Sequence, residues 1–197
     1  MHDVCAPVKL VRMVHRFPCD HPALDFVGTL RGRRFDDPLE MLDGPASLDA
    51  WYRESSILDA GPPAGPADLV DAVALREAIY ALVAARLFDE ERRPADISLI
   101  NSFARATPAA PQLTPAGRRV EATPAQALAT VARAAVDLLG GPDLALLKEC
   151  QRPECNQVFI DRSRGFRREW CSMTTCGNKV KGATYRARQR GNLAPAT

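Results

Sequence analysis

Two cysteine pairs near the C-terminus constrain this 197-residue chain more than any other feature. Cys150 and Cys155 form one C-x4-C pair; fifteen residues later, Cys171 and Cys176 form a second. Each tight turn brings two thiolates within reach of one ion, and the insert is long enough to fold the second turn onto the first. That is what a tetrahedral zinc site needs. The spacing therefore predicts one structural zinc per chain, held by Cys150, Cys155, Cys171 and Cys176. Four thiolates leave no open position for a substrate water, so no zinc-dependent turnover is expected. The alternative is four free thiols or two disulfides. Four of the six cysteines crowd into residues 150–176, which is hard to reconcile with chance. Disulfides would need an oxidising compartment. No apolar run approaches the ~18–20 residues of a membrane helix, and Asp3, Lys9 and Arg12 interrupt any secretory core. A reducing cytoplasm is the expected location.

The residues around the pairs suggest how such a module folds. Gln157–Asp161 and Phe166–Trp170 read as two short strands, joined by Arg162-Ser163-Arg164-Gly165, whose glycine suits a hairpin turn. Gly177 to Arg190 reads as a helix, with Val180, Thr184 and Ala187 as inward contacts. Knuckle, hairpin, knuckle and helix make a treble-clef-like finger. So short a segment buries too little apolar area to hold this shape alone, and the metal must supply much of its stability.

Charge separates this module from the rest. From Cys150 onward there are ten Lys and Arg against three Asp and Glu, a net of +7, while residues 1–149 carry 16 basic and 21 acidic groups, a net of −5. An acidic body with a basic C-terminal module is a pattern suited to nucleic-acid contact. Candidate contacts are Arg162, Arg164, Arg167 and Arg168 on the hairpin, and Lys179, Lys181, Arg186, Arg188 and Arg190 on the helix. Phosphate contacts position a protein without reading sequence. Base readout would fall to Asn178 or one or two cationic side chains, Lys179 among them.

The body reads as mostly helical. Val8–Val14 suggests a strand, and Leu24, Val27 and Leu30 suggest a short helix over 21–30. Ser47 reads as an N-cap for a helix over 48–58. Residues 67–88 place Leu69, Val70, Val73, Ile79, Tyr80, Leu82, Val83 and Leu87 around a wide apolar face. Pro94 starts a helix to about Ala106, carrying Ile97, Ile100 and Phe103 inward. Gln112–Thr114 and Arg119–Glu121 suggest a small hairpin. Thr123-Pro124-Ala125-Gln126 has the form of a capping box, and Gly140-Gly141-Pro142 stops the helix it opens. The fold class expected is mainly α with small β elements: a helical N-terminal domain and a C-terminal treble-clef-like zinc finger.

This body offers little catalytic chemistry. His2, His15 and His21 are its only histidines, and with Cys5, Cys19 and Asp20 they could be drawn as a second metal site. No pair among them has knuckle spacing, and scattered polar residues are the plainer reading. Phosphate-binding glycine loops, serine elbows and paired catalytic carboxylates are absent from the sequence. The chain does not read as an enzyme.

Cys150-x4-Cys155, Phe159-x-Asp161-x-Ser163 and Trp170-Cys171-Ser172-Met173-x-x-Cys176-Gly177-Asn178-Lys179-x-Lys181 together resemble the CGNR zinc finger. Upstream, Leu24-Asp25-Phe26-Val27-x-Thr29-Leu30 resembles the opening motif of the ABATE domain, which accompanies this finger in bacterial proteins. The resemblance covers nearly the whole chain. It implies an ABATE-like domain over 1–145, a finger over 146–192 and a flexible tail over 193–197. It also implies a transcriptional regulator that contacts DNA. Two positions depart from the pattern. Lys179 replaces the name-giving arginine, which keeps the charge and loses the planar fork. Gly28 replaces the usual asparagine and removes a side-chain amide. Against the DNA-binding reading stands a zinc-stapled module for protein or RNA partners, and a homodimer stays open.

Overall fold

The computed structural model describes residues 15–191. The strand expected over Val8–Val14, with His2 and Cys5, and the tail over 193–197 lie outside them. In chain order the elements are helix α1 (Pro22–Val27), strands β1 (Leu30–Arg31) and β2 (Leu39–Glu40), helices α2 (Pro45–Glu54), α3 (Pro66–Leu87) and α4 (Pro94–Ala104), strands β3 (Gln112–Thr114) and β4 (Gly117–Arg119), and helix α5 (Pro124–Gly140). A 3-10 turn (Pro142–Leu146) leads to strands β5 (Leu147–Glu149) and β6 (Val158–Ile160), a π turn (Met173–Gly177) and helix α6 (Asn178–Gly191). The strands form three separate antiparallel pairs, β1–β2, β3–β4 and β5–β6. The architecture is mainly α with small β elements, as expected.

Proline repeatedly sets the helix starts. α2, α3, α4 and α5 all carry one in the first turn, where a missing N–H costs nothing and φ is already helical. At α5 the expected capping box forms, the Thr123 hydroxyl accepting from the Gln126 N–H and the Gln126 side chain accepting from the Thr123 N–H at 3.0 Å. At α2, Ser47 is not the N-cap. It sits at N3, and its hydroxyl accepts from the N–H of the N-cap, Gly44, at 3.1 Å.

The body core forms where α1, α3 and α5 meet. Leu24 and Phe26 of α1, Trp51 of α2, Leu75, Ile79 and Val83 of α3, and Leu128 and Leu138 of α5 are all fully or almost fully buried. Small residues Ala127, Ala132 and Ala135 on α5 are also fully buried, so the helices approach closely there. On α3 the expected face is correct at Ile79, Leu82 and Val83, while Leu69, Val73 and Leu87 are half-buried and Val70 is 68% exposed. The inward set is completed by Ala72, Leu75 and Arg76. On α4, Ile97 points outward, whereas Ile100 is buried.

Arg76 is a buried cation inside this face. Its guanidinium grips both oxygens of Glu40 at 2.6 and 2.7 Å and Glu77 at 2.8 Å. Glu77 in turn holds Arg33, which lies over the Tyr80 ring at 4.1 Å. The bidentate pairing compensates the desolvation of the charge and fixes the β1–β2 ribbon to α3.

Two hairpins differ from expectation. β3 pairs with Gly117–Arg119 rather than with residues 119–121, because Val120 is claimed by Asp59, whose carboxylate accepts its N–H at 2.6 Å. In the finger, β6 pairs with β5 across the first knuckle, Leu147 opposite Ile160 and Glu149 opposite Val158. The strand expected over Phe166–Trp170 does not form. Phe166 has φ +52, which breaks an extended run, and the Arg168 N–H bonds the Asp161 carboxylate instead of a strand partner, at 3.1 Å.

The finger joins the body through a seam. Val158, Phe159 and Ile160 are all buried and belong to the same core cluster as Leu24 and Phe26. The Cys19 thiol donates to the Val158 carbonyl at 2.9 Å, and the Gln157 amide donates to Cys19 Sγ at 3.2 Å and the Leu24 carbonyl at 3.4 Å. Gln157 lies over Gly28, where an added Cβ would stand 2.6 Å from its Nε2. The space beside Gly28 is thus filled by an amide from the finger. Asp25 completes the seam, accepting the N–H groups of Cys19 and His21 at 3.0 and 3.2 Å.

Burial pushes the Asp25 carboxyl up to about 6, against an ordinary value of 3.8. The folded chain therefore holds its proton over a range where the unfolded chain has lost it. The contribution of Asp25 to stability should fall as pH rises from about 4 through 6, by on the order of 2–3 kcal/mol, against the opposite trend of the buried His15 and half-buried His21, whose pKa values are lowered. Chemical denaturation at pH 5 and pH 7 checks this. Asp25→Asn should remove that contribution, so the variant gains about 1 kcal/mol more than the wild type, or loses as much less, between pH 5 and pH 7; an equal pH dependence in the two would assign the effect elsewhere.

Candidate metal centre

Local hydrogen bonding shapes both knuckles. In the first, the Cys150 N–H reaches the Gln157 carbonyl at 2.9 Å, and the Cys155 N–H reaches the Arg152 carbonyl at 3.0 Å. In the second, the N–H groups of Cys176 and Gly177 both reach the Ser172 carbonyl at 3.0 Å, which widens the turn to a π form. Gly177 is packed tightly. A Cβ there would meet Met173 Sδ at 2.7 Å and the Trp170 ring at 3.2 Å.

These turns bring together the four cysteines singled out from the spacing. The sulfurs of Cys150, Cys155, Cys171 and Cys176 all lie within 4.8 Å of one another. Cys155 to Cys171 is 3.7 Å, Cys171 to Cys176 is 3.5 Å and Cys176 to Cys155 is 3.5 Å. A disulfide requires about 2.05 Å, which excludes that pairing. A tetrahedron of sulfurs about 2.3 Å from zinc has edges of about 3.8 Å, close to the three distances. Cys150, Cys171 and Cys176 are buried and Cys155 is half-buried. Hydrogen bonds from Cys155 and Cys171 hold the Cys150 thiol well below its usual range, while the contact with Cys150 pushes the Cys155 and Cys171 thiols up. A divalent cation between the sulfurs lets neighbouring thiols ionise together. Arg152 adds an outer contact, donating to Cys176 Sγ at 3.5 Å while paired with Glu154 at 2.8 Å.

Asp161 braces the loop between the knuckles. It is fully buried, and its carboxylate takes Lys148 Nζ at 2.7 Å, the Ser163 N–H at 2.9 Å and the Arg168 N–H at 3.1 Å. Burial alone would raise this carboxyl, but the ammonium and the N–H donors outweigh it and hold it well below the usual carboxylate range. The Ser163 hydroxyl accepts the Arg167 N–H at 3.1 Å. Phe159-x-Asp161-x-Ser163 is therefore the brace of a turn.

The nine cationic candidates divide. Arg168 is committed internally: its guanidinium lies 4.6 Å over the Phe159 ring and donates to the carbonyls of Trp170 and Cys171. Arg162 pairs with Asp143 of the body at 2.6 Å. The other seven, Arg164, Arg167, Lys179, Lys181, Arg186, Arg188 and Arg190, are exposed and form no ion pair among the described residues. On α6, Thr184 and Ala187 are exposed and Val180 is half-buried, so the inward face expected there reduces to Val180 beside the first knuckle.

His15 and His21 do not join a second metal cluster; among the described residues the four finger cysteines are the one such group. His15 Nε2 instead sits 3.1 Å from the Ser47 carbonyl. None of the described helices is long and apolar enough to cross a membrane.

A helical body bearing a four-sulfur finger defines a zinc-finger protein, and the comparisons with known families agree. One family model, ABATE, described as "putative stress-induced transcription regulator", matches residues 20–142; a second, the CGNR zinc finger, matches residues 147–189. The first covers well over half of the chain, which therefore belongs to the ABATE family and carries a CGNR zinc finger at its C-terminal end. These families describe a regulator domain and a zinc finger rather than enzymes. No curated protein matches the chain. The family and the four clustered sulfurs together point to one zinc ion.

Proposed function

We propose that this chain is a DNA-binding regulator in which residues 1–145 form the body and residues 146–192 form a finger whose zinc, held by Cys150, Cys155, Cys171 and Cys176, presents α6 to a duplex. The observation that carries this is the state of α6. Its five cations, with no acidic residue among them, stand in solvent and form no ion pair among the described residues. A basic face docked on its own domain would have shown the reverse.

The helix has a geometry suited to a groove. At about 100° per residue, Lys179, Arg186 and Arg190 share one flank, and Lys181 and Arg188 share the opposite one. Between them lie Asn178, Tyr185 and Gln189, all exposed. The major groove admits a helix whose flanks meet the two phosphate backbones, while amide side chains hydrogen-bond adenine edges. Asn178 and Gln189 take the reading role here, and Lys179 moves to a phosphate flank. Arg164 and Arg167 extend the phosphate contacts, and Arg162 can exchange its exposed pair with Asp143 at a cost under about 1 kcal/mol.

Duplex binding titrated against salt tests this. Each neutralised phosphate contributes about −0.9 to the log–log slope, so replacing Arg186, Arg188 and Arg190 by alanine should reduce the slope by roughly 2–3 and weaken every sequence. Gln189→Ala should instead relax preference at one base pair, by about 1–3 kcal/mol. Equal loss on RNA, or a protein ligand with no salt-dependent duplex binding, would replace DNA as the partner.

A further inference from the structure

A cleft of about 670 Å³ opens between the body and the two knuckles, within the ~300–1,000 Å³ typical of small-molecule sites. Arg16, Arg31, Arg152 and Lys179 line it with Ser172 and Thr174, and the metal-centre cysteines Cys155, Cys171 and Cys176 form part of its wall. Its one lining carboxylate, Glu154, is held by Arg152. Zinc with four thiolates carries two net negative charges, and Arg152 answers part of that through Cys176. Counting all of these, four cations face three negative charges, and Arg16 and Arg31 form no ion pair among the described residues.

Arg31, at the end of β1, is half-buried, and its guanidinium has no hydrogen-bonded or ion-paired partner among the described residues. Burial and the like charge of Arg16 both act against its guanidinium, with only the Cys155 sulfur attracting it. A partly desolvated cation beside another is costly unless a counter-charge sits between them. Guanidinium forks match the two oxygens of a carboxylate or phosphate. Phe17 and Pro18 supply an apolar wall next to them.

We infer that this cleft binds a small organic oxyanion, its phosphate or carboxylate head held by Arg31 and Arg16 and its apolar body lying against Phe17 and Pro18. The site touches the body through Gly28 and Arg31 and the root of α6 through Thr175 and Lys179, so a ligand there bridges the two. This goes beyond DNA contact and does not depend on it, because binding is read with no DNA present.

The zinc-loaded full chain is titrated calorimetrically with phenyl phosphate, benzoate and phenol, which share a ring and differ in the head. One or both anions should saturate the protein and phenol should not; the stronger anion identifies the head group. Arg31→Gln should weaken that anion at least tenfold with zinc content and helical circular dichroism unchanged. Arg16→Gln, at an exposed position, repeats the test without risk to the fold, and Arg118→Gln on exposed β4, outside the cleft, should change nothing. The inference is overturned if neither anion binds at about 10 mM, a very weak affinity of roughly −3 kcal/mol. It is equally overturned if both cleft variants bind the anion as the wild type does.

Discussion

Serine in place of Cys171 should empty the metal centre and unfold the finger beyond its hairpin. Cys171 is 3% exposed and its sulfur lies 3.7 and 3.5 Å from two of the other three. A serine hydroxyl stays protonated at neutral pH and is a poor zinc ligand. Structural zinc contributes roughly 10–16 kcal/mol of apparent binding energy in small fingers, as large as the whole stability of a typical domain, about 5–15 kcal/mol. Nothing in the loop over 161–177 replaces that, since its side chains are mostly exposed. Elemental analysis should fall from one zinc per chain to a trace, with helical signal lost from α6. Cys19→Ala should retain the metal, because its sulfur serves the seam. A Cys171→Ser protein still holding one equivalent of zinc would remove Cys171 from the ligand set.

Val83→Asp should be the most damaging single change in the body. Val83 is fully buried on α3, where a new carboxylate would meet apolar side chains and no donor. The cost is several kcal/mol, enough to consume much of a marginal stability. The thermal midpoint should drop sharply or the protein should fail to accumulate. Val70→Asp, on the same helix but 68% exposed, should change stability by less than about 0.5 kcal/mol. Equal effects of the two would mean that Val83 is not on the buried face of α3.

These two changes also mark what the sequence could and could not reveal. The metal centre was legible because four thiols at fixed spacing have one economical geometry, and Thr123 with Gln126 was legible because a capping box is local. Arg76 was not, although a signal existed: it falls three residues after Val73 and seven before Val83, on the stripe that periodicity reads as apolar. Only the bidentate partner Glu40, 36 residues away, makes a cation tolerable there. The finger hairpin was misplaced for the same reason. Gln157–Asp161 has strand character, but its partner is chosen by the knuckle that β5 and β6 enclose and by Asp161 taking the Arg168 N–H, neither of which is visible in local propensity. Gln189, a reader under the proposed DNA contact, carries no charge and so gives no signal in a count of cations; it becomes a candidate only once its exposure on α6 beside Asn178 is seen.

The seam at Gln157 bears on how this finger could be moved between proteins. Excised at residue 146 and grafted onto another scaffold, it would arrive with Val158, Phe159 and Ile160 stripped of their cover and with the Gln157 amide facing no Gly28 recess. Zinc would still gather the four sulfurs, but the apolar ridge left behind would invite self-association. A transplantable version has to carry the Cys19–Gly28 segment with it, so the smallest portable unit is discontinuous in the chain.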